Sequence, residues 1–273
     1  MKKALAGTAA LLTAFYVIIC ILVYFFQEKL IFFPEKLKRD FSIPHELPYE
    51  EHFIHYEEND SLHAMHFKSE HSKGLILYLH GNAGSLRTWS QIAAFYTVLG
   101  YDLFMPDYPS YGKSTGKIRN EESLQRSIDS AYSFVKKLYP EDKIIVLGYS
   151  LGTGPAARLA SQNNPSLLIL QAPFTSLTDM KDSFYPFIPD FLLRYTFQTD
   201  DHLPKCRMPV IIFHGDSDEV IPYISSLELS KRFKTGDTLI TLPGQRHNGM
   251  SAHPLYKEAF ENIISADSVR VSF

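Results

Sequence analysis

Ser150 is the residue whose neighbours in the sequence have the clearest chemical meaning. It lies in the segment Gly148–Gly152, after a run that predicts a strand, Lys143–Leu147, and at the start of one that predicts a helix, Leu151–Gln162. The two glycines permit a tight strand-to-helix turn, which would lift the Ser150 hydroxyl clear of the sheet edge and aim the Leu151 amide at the same space. The spacing therefore predicts a nucleophilic serine.

The residues after Ser150 also fit a pattern that binds dinucleotides, because Gly152–Ala157 reads G-x-G-x-x-A. A dinucleotide turn places its first glycine directly at the strand end and an acidic residue at the end of the next strand. Here Gly152 lies four residues beyond Gly148, and the next predicted strand, Leu167–Leu170, is followed by Gln171. The nucleophile turn is therefore the better interpretation.

Two later residues complete a catalytic triad with Ser150. On a fold with this type of turn, nucleophile, acid and base follow one another along the chain, each at the carboxyl end of a strand. Asp218 follows the predicted strand Val210–Phe213, and His247 follows the predicted strand Asp237–Leu242. His247 would accept the serine proton and return it to the leaving group, while the carboxylate would hold its tautomer and stabilise its charged form.

Other groups compete for these roles. Asp216 lies directly after a glycine and is expected to stabilise the turn, whereas two further residues allow Asp218 to reach the histidine loop. His214 abuts a strand end and is expected to be structural, and His253 begins the last predicted helix. By itself, His247 would be interpreted as a surface loop histidine, and only its partners predict catalysis.

The oxyanion of a tetrahedral intermediate needs two backbone donors. One is expected from Leu151 and the other from the loop after the predicted strand Leu75–Leu79. That loop, His80–Ser85, contains small residues that allow close approach of the backbone. We expect Asn82 to supply the second donor, with Ala83 as the alternative.

The chain as a whole has the composition of a globular protein. It has 273 residues, 45% of them apolar and 21% charged, with a formal net charge of -3, which suits one large α/β domain plus an appendage and offers no basic face for nucleic acid. From residue 75 onward, short apolar strands alternate with amphipathic helices, and a hairpin is predicted before them in His52–Lys68. This alternation predicts a mostly parallel sheet with helices on both faces.

The N-terminal segment predicts a transmembrane helix. No charged residue occurs from Ala4 to Phe26, and the run is long enough to cross a bilayer. It lacks the small residues that precede a signal-peptide cleavage site, so we expect residues 1–29 to remain as a membrane anchor for the domain at 30–273. Lys2 and Lys3 lie tight against the span, which favours a cytoplasmic N-terminus and a catalytic domain on the non-cytoplasmic side.

Two further features of the sequence concern a metal site and a disulfide. Five histidines fall between His52 and His71, but the spacing of three in His52/His55 and His63/His66 puts the members of each pair on opposite faces of a strand, so no metal site is expected. Cys20 lies in the apolar run, so a disulfide with Cys206 is not expected.

Several motifs together resemble the α/β-hydrolase superfamily. The chain is similar in particular to the N-terminally membrane-anchored α/β-hydrolase-domain proteins, a branch that includes protein depalmitoylases and lysophospholipases. The match runs from about Leu30 to the end of the chain. The segments that carry it are His80–Gly84, Asp107–Gly112, Gly148–Gly152, His214–Asp218 and His247–Asn248.

This resemblance implies an α/β-hydrolase fold with a short cap at about residues 173–204, and a serine hydrolase that uses neither metal nor cofactor. Its substrate would be an acylated lipid or protein. The aromatic residues of the cap and the apolar patch Leu30–Phe33 favour an apolar acyl chain that arrives from the membrane side, although they could equally pack the cap onto the core. Two alternatives remain open: a serine peptidase on the same fold, and a non-catalytic binding scaffold.

Overall fold

A single eight-stranded sheet organises the protein. The computed structural model describes residues 1–270, with side chains through residue 265. The strands run in the spatial order β1-β2-β4-β3-β5-β6-β7-β8. Their bounds are β1 Glu50–Glu57, β2 Asp60–Phe67, β3 Gly74–Leu79, β4 Tyr101–Pro106, β5 Ile144–Tyr149, β6 Leu167–Gln171, β7 Val210–Gly215 and β8 Thr238–Leu242.

The sheet is mostly parallel, as predicted. Strands β3 to β8 pair in parallel, and only the hairpin of β1 and β2 adds antiparallel pairs at one edge. Every residue of β3, β5, β6 and β7 is buried, because helices cover both faces of these strands. The helices are α1 Lys2–Ile31, α2 Leu86–Trp89, α3 Ala93–Val98, α4 Glu121–Val135, α5 Thr153–Gln162, α6 Leu177–Phe184, α7 Thr199–His202, α8 Ile224–Ser230 and α9 Pro254–Arg270.

Alternate residues of each strand enter different cores. Leu77 of β3 packs in a cluster with α4 and α5, which contribute residues such as Ile128 and Leu159. Ile76, the preceding residue, packs in a second cluster with Tyr96 of α3 and Phe260 of α9. The sheet is therefore held between two helical layers, and the loops at the carboxyl ends of its parallel strands meet at one edge.

One predicted helix is divided in the structure. The segment Leu86–Leu99 forms α2, a 3-10 turn at Ser90–Ile92 and α3. The Ser85 side chain accepts a hydrogen bond from the Arg87 amide and so caps α2. The Leu86 amide donates to the Asp107 carboxylate at 3.0 Å, which ties the start of the helix to the neighbouring loop.

The N-terminal helix α1 contains the whole apolar run Ala4–Phe26 and is long and apolar enough to cross a membrane. At about 1.5 Å per residue it extends beyond the roughly 30 Å of a bilayer core. Most of its side chains are exposed, but Gln27 is buried. The segment between β6 and β7, which includes the predicted cap at 173–204, contains α6, a 3-10 turn at Asp190–Leu192 and α7, and it packs beside α1.

Candidate active site

Ser150 lies at a strained turn between β5 and α5. Its φ angle of 51° is in the left-handed region, which costs a residue other than glycine about 1–3 kcal/mol. A Cβ atom at Gly152 would collide with the Leu79 carbonyl, and one at Gly148 would collide with the Gly152 carbonyl. Gly148 is therefore required for the turn to fold back closely onto the end of β5, and Gly152 for the turn to lie against the end of β3.

Ser150, His247 and Asp218 form a continuous hydrogen-bonded chain. Ser150 Oγ lies 3.0 Å from His247 Nε2, and His247 Nδ1 lies 2.8 Å from Asp218 Oδ2. The side chains of Ser150 and His247 are buried but line a cavity. In this arrangement, the His247 imidazole can accept the proton of the serine hydroxyl, and the Asp218 carboxylate can stabilise the resulting positive charge.

Asp218 is kept ionised by its partners. Its Oδ1 accepts hydrogen bonds from the amides of Val220 at 2.8 Å and Ile221 at 2.9 Å. Burial acts to raise the pKa of this carboxyl, but the hydrogen bonds from His214, His247 and the Ile221 amide outweigh burial and hold the pKa well below its usual value. Asp218 is therefore a carboxylate throughout the neutral pH range.

The His214 ring contacts the Asp218 carboxylate and helps to fix its position. The ring is fully buried at the end of β7, with Nε2 at 3.0 Å from the Ile221 carbonyl and at 3.3 Å from Asp218 Oδ2. Its Nδ1 lies 2.6 Å from Ser226 Oγ. Because a carbonyl oxygen only accepts, these partners assign a proton to Nε2. His214 therefore positions the acid loop and does not reach the serine.

Tyr149 positions the histidine loop and was not identified from the sequence. Its hydroxyl donates to the backbone carbonyl of His247, and the His247 amide lies 3.3 Å from a Glu219 carboxylate oxygen. Burial raises the pKa of Tyr149 above its usual value, and the nearby Asp218 charge adds to the effect. The phenol therefore stays protonated as a donor. The only sequence signal was its place directly before Ser150.

Asp216 lies apart from the histidine. Its Oδ1 accepts from the Gly244 amide at 2.7 Å and from Ser217 Oγ at 3.0 Å, so it connects the loops after β7 and β8. His253 lies at the start of α9, with Nε2 at 3.3 Å from the Pro243 carbonyl. Neither residue takes part in the hydrogen bonds that connect Ser150, His247 and Asp218.

Asn82, Ala83 and Leu151 line the same cavity as Ser150. The Asn82 side chain is engaged elsewhere: its Oδ1 accepts from the Phe33 amide at 3.1 Å, and its Nδ2 donates to the Ile31 carbonyl. The predicted donor role of Asn82 would therefore fall to its backbone amide, and it stays a prediction. The side chain instead ties this loop to the end of α1.

A buried cluster keeps the Asn82 loop rigid. The Tyr108 hydroxyl donates to the His80 carbonyl at 2.7 Å, and the Asp107 carboxylate lies near the rings of His63 and His80. Burial acts to raise the pKa of Asp107, but the attraction of the neighbouring His63 and His80 rings prevails and holds it below its usual value. His80 is thus a structural partner of this turn.

A cavity of about 800 Å³ extends from Ser150 and His247. Its walls are the loops at the carboxyl ends of the parallel strands, the segment 173–204 that contains the predicted cap (the cap segment), and the C-terminal half of α1. The sequence does not predict the contribution of α1. The lining is largely apolar and includes Ile19, Val23 and Leu30 from α1, and Met180, Phe184 and Phe187 from the cap segment. Such a cavity is suited to an elongated apolar group.

The strand histidines contain one group with metal-ligand geometry. Ligand atoms of Glu50, His52 and His66 lie within 4.8 Å of one another, because His66 on β2 is directly opposite Glu50 on β1 and diagonal to His52. Spacing within one strand does not predict this pairing. Glu50 already pairs with Lys68 at 2.6 Å, and His66 Nε2 lies 3.0 Å from Asp102. Glu50 and His66 therefore already have polar partners in the protein, without a cation.

The chain is similar to proteins of one broad family. A family model described as the alpha/beta hydrolase fold matches residues 74–197. The alpha/beta hydrolase domain-containing protein aho-3 of Caenorhabditis elegans is 32% identical over 205 residues, which cover 72% of this chain and 60% of that protein. Human alpha/beta hydrolase domain-containing protein 17B is 32% identical over 213 residues, which cover 74% of this chain and 70% of that protein.

Two solved structures are similar in fold. An esterase from Pyrococcus furiosus superposes with a TM-score of 0.67 at 17% identity, covering 88% of this chain and 97% of the esterase. Est1E from Butyrivibrio proteoclasticus, solved with ferulic acid bound, has a TM-score of 0.65 at 22% identity and covers 80% of this chain and 99% of its own. At these identities the likeness concerns the arrangement of the chain.

Proposed function

The chain belongs to the α/β-hydrolase family, and on that premise we propose that it is a membrane-anchored serine hydrolase that cleaves acyl ester or thioester bonds. The observation that carries the proposal is the hydrogen-bonded chain from Ser150 through His247 to Asp218, in which Ser150 Oγ lies 3.0 Å from His247 Nε2. The strained turn that presents Ser150 is a second support, because such strain is retained where it serves a site.

In the proposed reaction, Ser150 Oγ attacks the acyl carbonyl while His247 Nε2 takes its proton. The backbone amides of Leu151 and Asn82 would stabilise the oxyanion that forms. His247 then gives the proton to the leaving alcohol or thiol as the acyl-enzyme forms. Water, deprotonated by His247, attacks the acyl-enzyme, and the proton returns to Ser150 as the carboxylic acid leaves. Asp218 stabilises the imidazolium in both halves.

We infer an apolar acyl chain as the substrate group because the cavity beside Ser150 is lined mainly by apolar side chains. Each buried methylene stabilises the bound state by about 0.8 kcal/mol, so activity should rise several-fold with each two carbons until the cavity is filled. A serine peptidase would use the same three residues. The apolar lining favours the acyl substrate over a peptide backbone, which needs polar partners.

The test is a chain-length series of p-nitrophenyl esters and thioesters, from acetyl to palmitoyl, presented in mixed micelles beside a set of aminoacyl amides. The rate should rise with chain length and exceed that for the amides. A rate that is highest for acetyl and falls with length would move the assignment to a small-ester hydrolase, and preferred cleavage of amides would move it to a peptidase. Absence of labelling by a fluorophosphonate probe would favour a binding scaffold.

The anchor and its orientation belong to the same proposal. Helix α1 would hold the domain at the bilayer, with Lys2 and Lys3 on the cytoplasmic side and the catalytic domain on the other. Protease added to intact cells or spheroplasts should then digest the domain. Digestion only after lysis would reverse the orientation.

A further inference from the structure

Gln27 is the buried polar residue of an otherwise exposed apolar helix, with 1% of its surface accessible. Its Nε2 donates to the Leu192 carbonyl at 3.0 Å, and its Oε1 accepts from the Arg194 amide at 2.8 Å. A side-chain amide that satisfies a backbone donor and a backbone acceptor at once fixes the relative position of two segments. Gln27 therefore docks α1 onto the cap segment.

Contacts on either side of Gln27 extend this docking along the helix. Glu28 accepts from the Tyr195 hydroxyl at 2.9 Å and pairs with Arg194. More than two turns earlier, the Tyr16 hydroxyl donates to the Phe187 carbonyl at 2.7 Å. The cap segment thus touches α1 at two levels, and part of the wall of the cavity lies between them.

Two apolar α1 residues, Ile19 and Val23, line the cavity between those levels, and Leu30 lines it just beyond the second level. Ile19 and Val23 are four residues apart and half-buried, so they share one face of the helix. Ile21 and Val17 point elsewhere, with 50% and 48% of their surfaces exposed. One stripe of α1, formed by Ile19, Val23 and Leu30, therefore lines the cavity. The cap segment covers it at Ile19 and Val23, while Leu30 is 61% exposed.

We propose that this stripe of α1 is one wall of the acyl-binding site, so that the membrane helix itself binds the acyl chain of the substrate. The chain lies along Leu30, Val23 and Ile19, with Phe184 and Phe187 of the cap segment on its other side. The proposal rests on the hydrolase function proposed above. It adds that the anchor is part of the site and not only a tether.

The order of these residues follows from the position of the nucleophile. The loop beside Ser150 is tied to the C-terminal end of α1, where Asn82 Nδ2 donates to the Ile31 carbonyl. Leu30 is therefore proximal and Ile19 distal. Eleven residues at about 1.5 Å each make roughly 16 Å, and an extended chain advances about 1.2 Å per bond, so this stripe accommodates about 14 bonds.

The surroundings of the stripe identify the source of the acyl chain as the bilayer. Ile19 and Val23 belong to the apolar run of α1, and the neighbouring tip of the cap segment exposes Phe184, Phe187 and Phe191 at 54%, 57% and 82%. Exposed aromatic side chains of this density are stable in lipid and costly in water. An acyl chain can then move from the bilayer into the site without crossing water.

Tryptophan substitutions along α1 test the proposal in the full-length protein. The variants are Ile19→Trp and Val23→Trp, and the matched controls are Ile21→Trp and Val17→Trp, which make the same chemical change on the exposed faces. For each, kcat/KM is measured across the acetyl-to-palmitoyl ester series in mixed micelles. The ratio of palmitoyl to acetyl activity should fall at least about tenfold in the first pair and stay at the wild-type value in the controls.

The two cavity variants should also differ from each other. Their positions are about 6 Å apart along the helix, so the longest chain accepted by Val23→Trp should be about five carbons shorter than that accepted by Ile19→Trp. Identical chain-length profiles for cavity variants and controls would overturn the proposal. A wild-type protein without esterase activity or fluorophosphonate labelling would instead refute the proposed function.

If both tryptophan variants lose activity on every ester, the variant Ile19→Ala tests the proposal instead. This change enlarges the distal end of the cavity and should move the optimum toward longer chains. An optimum that does not move would also overturn the assignment of α1 as a wall.

Discussion

Substituting Asp218 with Asn tests the proposed triad at the residue whose side chain is fixed by two backbone amides. The Oδ1 atom of Asp218 accepts from the amides of Val220 and Ile221, so the oxygen of the Asp218→Asn side chain would keep that place and its NH₂ group would face His247. An NH₂ donor at Nδ1 requires that nitrogen to accept. The ring proton then moves to Nε2, which can no longer take a proton from Ser150.

The expected loss follows from this change of tautomer. In triads of this type, the wrong tautomer lowers kcat by about 10⁴, which equals about 5 kcal/mol of transition-state stabilisation. The assay is kcat for p-nitrophenyl ester hydrolysis, with thermal unfolding measured in parallel. Because the volume of the side chain is unchanged, the variant should still unfold cooperatively.

The matched control is Asp216→Asn, the same chemical change two residues earlier. Asp216 is exposed and accepts from the Gly244 amide at 2.7 Å, a bond that an amide oxygen can retain. This variant should keep kcat within about threefold and lose about 1 kcal/mol of stability at most. The reasoning would be refuted if Asp218→Asn kept more than about a tenth of wild-type kcat, or if Asp216→Asn were the impaired variant.

Three further predictions concern the nucleophile, the carboxylate and the anchor. Ser150→Ala should lower ester hydrolysis about a thousandfold or more and abolish fluorophosphonate labelling without unfolding the protein, and full activity would exclude the mechanism. The pKa of Asp218 is held low in the folded state, so its stabilisation is complete above its unfolded pKa of about 3.9 and is lost as the pH falls further. Chemical unfolding at about pH 6 and pH 3 should therefore show a larger loss for wild type than for Asp218→Asn, and equal losses would count against the ionised pair. Residues 4–26 should stay in the mature protein and hold it in the membrane pellet after carbonate extraction, which a new amino terminus beyond Phe26 in mass spectrometry would contradict.

The predicted fold is confirmed for the parallel sheet and its helical layers. The reason is that strands buried on both faces must be apolar along their whole length, as Ile144–Tyr149 is, and this pattern is visible in the sequence. Helix boundaries were less predictable. The segment Leu86–Leu99 is divided in the structure, and the Leu86 amide at its start donates to Asp107, 21 residues away, a contact that no local pattern predicts.

For the site, sequence reasoning could propose the residues but not their supports. Ser150, Asp218 and His247 were identified because parallel strands bring their carboxyl ends to one edge, which makes chain order informative. Their catalytic roles stay predictions. Tyr149, which holds the histidine loop, carries no distinctive pattern, and for His214 the sequence predicts a structural role but not its partners, because a buried hydroxyl or imidazole is defined by the groups it contacts.

The sequence by itself determined what depends on local periodicity and short spacing: the alternation of strands and helices, the glycine-flanked turn at Ser150, and the length of the apolar helix. Only the tertiary structure decided what that helix contacts within the protein. Gln27 is an ordinary polar residue at the end of an apolar run, and nothing near it in the chain predicts burial. Its partners at Leu192 and Arg194 lie 165 and 167 residues away. Contacts at that separation exist only once the sheet has placed the cap segment beside α1, and they make α1 a wall of the cavity.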